Sequence, residues 1–266
     1  MYKQVGNMQG FFVIWISKIH LLVAFLSTLI LVLFHYLSPW FARHLPGNGK
    51  AFISFAGGTA IAYVFLHMLP NLVEYNEPMG KFLIQSHWLT PFSELMIYLV
   101  ALAGFLIYYG MELAAERSKY LQTRGLVYAL HLFMFCLYNF LITYTMSLRA
   151  QVSLSATALF TFSMALNFVL TDKKFSRLHA TEFNHVGRFI LILFLLLGWL
   201  CSVIFEPVNA VVVAFMVAFL AGSVLLNVFR EELPGGELVS YCWLVCGVAV
   251  VSFILLLQIW STKLFN

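Results

Sequence analysis

The sequence predicts an all-α polytopic membrane protein of eight transmembrane helices with an internal inverted repeat, and three observations carry that expectation. The chain is 62% hydrophobic and only 10% charged, against about 25% charged in a soluble domain, so a water-exposed surface cannot be built from it. Apolar runs near the length a helix needs to cross the bilayer, about 20 residues for about 30 Å of hydrocarbon, fill most of the 266 residues and leave no soluble domain over. The stretch FAGGTAIAYVFLHMLP, Phe55 to Pro70, also returns 164 residues later as FLAGSVLLNVFREELP, Phe219 to Pro234. Strands are excluded because the runs are too long and too continuously apolar for the alternation of a barrel.

The eight segments are Phe11–His35, Ala51–Pro70, Phe92–Glu112, Gly125–Leu148, Val152–Thr171, Val186–Phe205, Val208–Phe229 and Leu238–Trp260, in one integral membrane domain over residues 1–266. The first, about 25 residues long, exceeds a signal-peptide core and has no small-x-small site after it, so it is read as a retained helix. Within it Lys18 can snorkel, and His35 closes the segment in a structural role. Pro39, Pro46, Gly47 and Gly49 make Tyr36–Lys50 a turn. Thr90 as N-cap and Pro91 as the first helical residue open the third segment, which ends at Glu112.

The fourth segment is the most polar, with His131, Cys136, Asn139, Thr143 and Thr145. His131 and Asn139 are eight residues apart, within about 80° around a helix, so they can line one cavity or serve interhelical hydrogen bonds. A tight turn at Arg149–Gln151 leads to the fifth segment, whose serines and threonines can bond the carbonyls of their own preceding turn. It ends at Thr171-Asp172-Lys173-Lys174. His179, Glu182 and His185 follow at three-residue spacing, read as a solvated loop face in preference to a metal site. The four cysteines, Cys136, Cys201, Cys242 and Cys246, all fall in predicted helices without a CxxC pair, so packing is their expected role.

Orientation follows from the basic residues of the loops. Arg43, Lys50, Arg117, Lys119, Arg124, Lys173, Lys174, Arg177, Arg188 and Arg230 lie on one side, ten against the five of the other, Lys3, Lys18, Lys81, Arg149 and Lys263. The ten-residue side is expected to be cytoplasmic, with both termini on the opposite side of the cell (inner) membrane. The two copies of the echoed stretch then cross in opposite directions. That is the signature of an inverted-topology repeat, a device by which transporters open one site alternately to two sides.

The helix-2 stretch ending in His67-Met68-Leu69-Pro70 and the phrase Phe219-Leu-Ala-Gly-Ser…Glu231-Glu232-Leu233-Pro234 resemble the ZIP (Zrt/Irt-like) family of divalent metal transporters. The resemblance implies eight helices with helices 1–3 and 6–8 repeated around central helices 4 and 5, which would carry the metal site. Their nearest matches here are Tyr138-Asn139-Phe140-Leu141-Ile142-Thr143 and Asn167-Phe168-Val169-Leu170-Thr171-Asp172. The family's first histidine is Tyr138 here and its aspartate is Ile142, so a binuclear carboxylate-bridged zinc site, which wants about four strong donors, cannot be assembled.

The expected function is therefore transport of a divalent, zinc-type metal ion by a divergent ZIP-like protein. Its transport pathway would run past His67 at the outer mouth, His131, Tyr138, Asn139, Asn167 and Asp172 in the middle, and Glu231 and Glu232 at the inner mouth. Two alternatives stay open: a non-transporting ZIP-fold homologue with a structural or sensing role, and a transporter of a non-metal solute. No resident cofactor is expected, a divalent metal being substrate. The expected partners are the lipid bilayer and a second copy of the chain in a homodimer, with no nucleic acid. No Ser-His, carboxylate-pair or phosphate-loop pattern points to an enzyme.

Overall fold

The computed structural model describes residues 2–44, 50–70, 72–73, 95–118, 124–178, 183–205, 210–227 and 240–265, and among them the chain is helical with no strand. The elements are α1 (Tyr2–His44), α2 (Lys50–Tyr63, running into a π turn at Val64–Met68), α3 (Met96–Ser118), α4 (Arg124–Tyr144), the short α5 (Met146–Val152) and α6 (Leu154–Leu178). A second π turn (Phe183–Gly187) leads into α7 (Arg188–Ile204), and α8 (Ala210–Asn227) and α9 (Tyr241–Phe265) follow. Among the described residues seven helices are long and apolar enough to cross a membrane. The expected seventh segment, in α8, is apolar over Val211–Leu226 and falls short of that length.

The bundle has a definite inside. The span in α6 is 72% buried and that in α9 only 17%, so α6 is central and α9 peripheral. Side chains such as Leu102, Leu106, Leu193, Phe253 and Leu256 stand outward, as they should where hydrocarbon is the solvent. With no hydrophobic driving force between helices in lipid, close backbone approach and van der Waals contact hold a bundle together. The glycines show where this happens. A methyl group added at Gly58 of α2 would collide with the Leu244 carbonyl of α9, and one at Gly247 of α9 with the Phe55 carbonyl of α2. One at Gly222 of α8 would strike the Ala101 carbonyl of α3, and one at Gly104 of α3 the Phe219 carbonyl of α8. The other close pairs are α1 with α6 and α4 with α7. In the latter, Gly198 lies against the Phe140 carbonyl and Thr143 donates to the Leu195 carbonyl at 2.8 Å.

Several boundaries differ from those the sequence predicts. The region after His35 is helical to His44 with Pro39 inside it. Proline has no N–H to give the carbonyl four residues back, which here is that of His35, and the Ser38 hydroxyl donates to that carbonyl at 3.0 Å in its place. The helix survives its proline because a neighbouring side chain supplies the missing donor. Helix α3 continues to Ser118 past the buried Glu112, and α6 continues past Thr171 to Leu178. The turn expected at Arg149–Gln151 falls later. Those residues are helical in α5, and the break is at Ser153, whose backbone is extended (φ −160°, ψ 123°) and whose hydroxyl caps α6 by accepting from the Ala156 N–H at 3.2 Å. Cys242 and Cys246, expected to pack, are exposed on the flank of α9, whereas Cys136 is buried. The cap at Thr90-Pro91 and the cluster's His179 and Glu182 lie outside the described residues, and His185 is exposed.

Candidate functional site

The polar centre of the bundle is built where α1, α4 and α6 meet. His35 of α1 turns its Nδ1 to both carboxylate oxygens of Asp172 in α6, at 3.0 and 2.9 Å, and its Nε2 to the Asn139 carboxamide oxygen of α4 at 3.2 Å. All three side chains are 1% exposed or less, and this is the one ion pair among the described residues. Asn139 cannot turn its amide the other way without loss, because its Nδ2 donates to the Phe135 carbonyl one turn back at 2.9 Å. Both imidazole nitrogens therefore face acceptors. The hydrogen bonding is complete when both carry protons, an imidazolium held between a carboxylate and a carboxamide oxygen. The ring also stacks on Phe168, centroids 4.2 Å apart, which fixes its plane.

The remaining central candidates gather around the same aromatic floor. Tyr138 is buried edge-on to Phe168 at 6.3 Å and its hydroxyl donates to the Met164 sulfur at 3.5 Å. Asn167, also buried, accepts from the Thr171 hydroxyl at 3.2 Å. Ser163, Asn167 and Thr171 recur at four-residue spacing and are all buried, so one face of α6 is a polar stripe inside an otherwise apolar core. Elsewhere on α6 and α4 hydroxyls are met locally: Thr157, Thr161 and Thr145 each donate to a carbonyl four residues back at 2.8–2.9 Å, as a helical threonine in lipid is expected to do.

His67 stands apart from this centre. It lies in the π turn that ends α2, its ring 5.1 Å from that of Tyr63, which in turn sits 5.6 Å from Phe160. Phe160 precedes Asp172 by twelve residues on one helix, about 18 Å at 1.5 Å per residue. The structure thus brings Asn139 and Asp172 together, sets Tyr138 and Asn167 beside them, and separates His67. Glu231, Glu232 and the side chain of His131 lie outside the described residues.

The residue that sequence reasoning missed is His35, and Asp172, expected in the middle of the pathway, is buried against that histidine. The signal for His35 was present: Thr28, Leu31, His35 and Ser38 follow helical spacing and form the buried face of α1. An ionisable side chain on such a face inside an apolar run is a functional candidate by default. Among the described residues no group of three His, Cys, Asp or Glu is placed to hold a metal. No model of a known protein family matches the sequence, and no curated protein matches it.

Proposed function

We propose that this chain is a multi-pass membrane transport protein of ZIP-like architecture, an eight-helix bundle with an inverted repeat. Its pathway follows the polar face of α6 to the His35–Asp172–Asn139 centre. The observation that carries the reading is the doubled glycine interlock. Phe55 precedes Gly58 by three residues and Ala101 precedes Gly104 by three; Phe219–Gly222 and Leu244–Gly247 repeat the two spacings. Exchanging α1 with α7, α2 with α8, α3 with α9 and α4 with α6 turns the pair α2–α9 into α8–α3, α1–α6 into α7–α4, and α2–α6 into α8–α4. All of these helices are in contact. A bundle assembled from two copies of one three-helix unit around a central pair is the construction that alternating access uses.

The substrate class that fits is a cation that keeps part of its hydration. One carboxylate, one imidazole and two carboxamides fall short of the four strong donors of a dry zinc site, and they can line a passage for an ion that retains water. His67 and the acidic Glu231 and Glu232 would then stand near the two mouths, with both termini on the non-cytoplasmic side of the cell membrane.

A second reading is favoured by a specific contact. Asp172 already has the protein's own imidazole as its partner, which supports a non-transporting homologue in which that contact locks three helices together. Uptake of radioactive zinc or manganese into vesicles reconstituted with the purified protein separates the two. Flux above empty vesicles that falls at least tenfold in Asp172→Asn supports transport. Wild-type flux equal to that of empty vesicles sinks it in favour of the structural role.

A further inference from the structure

The polar stretch of α6 lies between two aromatic closures. Phe160 stands before it and Phe175 after it, fifteen residues apart and about 22 Å along the helix. Ser163, Asn167, Thr171 and Asp172 fall between them. Each phenylalanine is covered by a ring from another element. Tyr63, the last residue of α2, meets Phe160 with centroids 5.6 Å apart, and Phe183 stacks on Phe175 at 5.1 Å. These four rings and the four polar side chains between them are all 1% exposed or less.

The covering rings are held by the two π turns among the described residues. Tyr63 leads directly into Val64–Met68, and Phe183 opens Phe183–Gly187. A π turn spaces its bonds five residues apart, is rare, and is found most often as a single turn at functional sites. One of them meets α6 before the polar stretch and the other after it. The second is fastened twice, by the Phe183–Phe175 stack and by Ser176 and Asn184, which exchange hydrogen bonds at 3.1 and 3.3 Å. Phe135 of α4 backs that stack edge-on, 4.8 Å from Phe175, and its carbonyl receives the Asn139 amide. This closure is thereby joined to the His35–Asp172–Asn139 centre.

The enclosed stretch keeps one polar group unmet. Thr157 and Thr161 donate to carbonyls of their own helix, whereas the fully buried Ser163 hydroxyl has no hydrogen-bond partner among the described residues. A buried hydroxyl in that state is unfavourable, and water or a hydrated ion held between the closures would meet it.

We propose, on the reading of α6 as the pathway, that Tyr63–Phe160 and Phe183–Phe175 are its two gates, each moved by its own π turn. The polar stretch of α6 is the compartment they close. With both ring pairs in contact the protein is in an occluded form. Release of Tyr63 opens the compartment at the mouth near His67, and release of Phe183 opens it at the end where α6 finishes.

The test uses the full chain with its four native cysteines replaced by alanine and Ser163→Cys as the only thiol, reconstituted in sealed vesicles. A small membrane-impermeant thiol reagent is applied to each face separately. Labelling should be slow from both faces. Tyr63→Ala should speed it at least tenfold from one face only, and Phe183→Ala at least tenfold from the opposite face only. A control thiol at Ser202→Cys, buried on α7, should stay slow in both. Acceleration from both faces at once, from the same face in both variants, or equally at Ser202→Cys would mean general loosening of the packing and overturns the gates; so does no acceleration at all. Should an alanine variant not fold, Tyr63→Leu replaces the first, and Ser176→Ala with Asn184→Ala, which frees the second π turn, replaces the other under the same criteria. No flux is measured. Sided opening therefore stands in a protein that moves nothing, and flux without sided opening keeps the transport reading while removing the gates.

Discussion

His35 and Asp172, 137 residues apart in the chain, meet at 2.9 Å in a core that excludes solvent from both. Two polar groups taken out of water in this way are held by each other and by the Asn139 oxygen, and removing one leaves the other without its partner.

Asp172→Ala and His35→Ala should each destabilise the folded bundle by about 3–5 kcal/mol, the usual consequence of breaking a buried pair. The double replacement His35→Ala with Asp172→Ala should come out well below the sum of the singles, because neither partner is then stranded. Unfolding midpoints in detergent for the four members of the cycle check this. Simple additivity would mean that the two side chains do not depend on each other.

Asn139 has a smaller part. Asn139→Ala removes the acceptor for Nε2 while leaving the carboxylate, so a loss of about 1–3 kcal/mol is expected, less than for Asp172→Ala. Asn139→Asp should not recover it, because it sets a second buried carboxylate beside Asp172 and turns an oxygen to the Phe135 carbonyl. An Asn139→Ala effect as large as that of Asp172→Ala would place the energetic weight on the carboxamide and overturn this ranking.

The glycine contacts predict a sharp contrast along α3. Gly104→Ala and Gly222→Ala must push α3 from α8, and Gly58→Ala and Gly247→Ala must push α2 from α9, each at about 1–3 kcal/mol. Gly110 has open space around the position of an added methyl group, so Gly110→Ala should be neutral or stabilise by up to about 1 kcal/mol through helix propensity. A thermal midpoint series on the five variants measures it, and similar losses at Gly110 and Gly104 would contradict the packing.

The repeat makes a prediction about sidedness. With the native cysteines replaced, His67→Cys and Glu231→Cys should be modified by a membrane-impermeant maleimide from opposite faces of sealed vesicles. Labelling of both from one face would dismantle the inverted repeat and with it the transport reading.

The residues themselves show why some of this was legible beforehand and some was not. The helices were readable because in lipid each must satisfy its own backbone within four residues, so a run of apolar side chains about 20 long declares itself. The echo of Phe55–Pro70 in Phe219–Pro234 was readable for the same reason: Gly58 and Gly222 mark local surface shape. His35 was hidden by Pro39, which suggested a helix end, and only the Ser38 hydroxyl at the His35 carbonyl explains why the helix goes on.

The sequence by itself determined the class of the protein, the rough place of its apolar helices and the residue types available at its centre, since all of these follow from local hydrogen bonding and side-chain solubility. Only the tertiary structure decided that Asp172 meets His35, that Asn139 turns its oxygen to the same ring, and that Arg149 stands over Phe160. Those pairings depend on which helix faces meet, and a helix closes its backbone bonds in the same way whichever neighbour it finds.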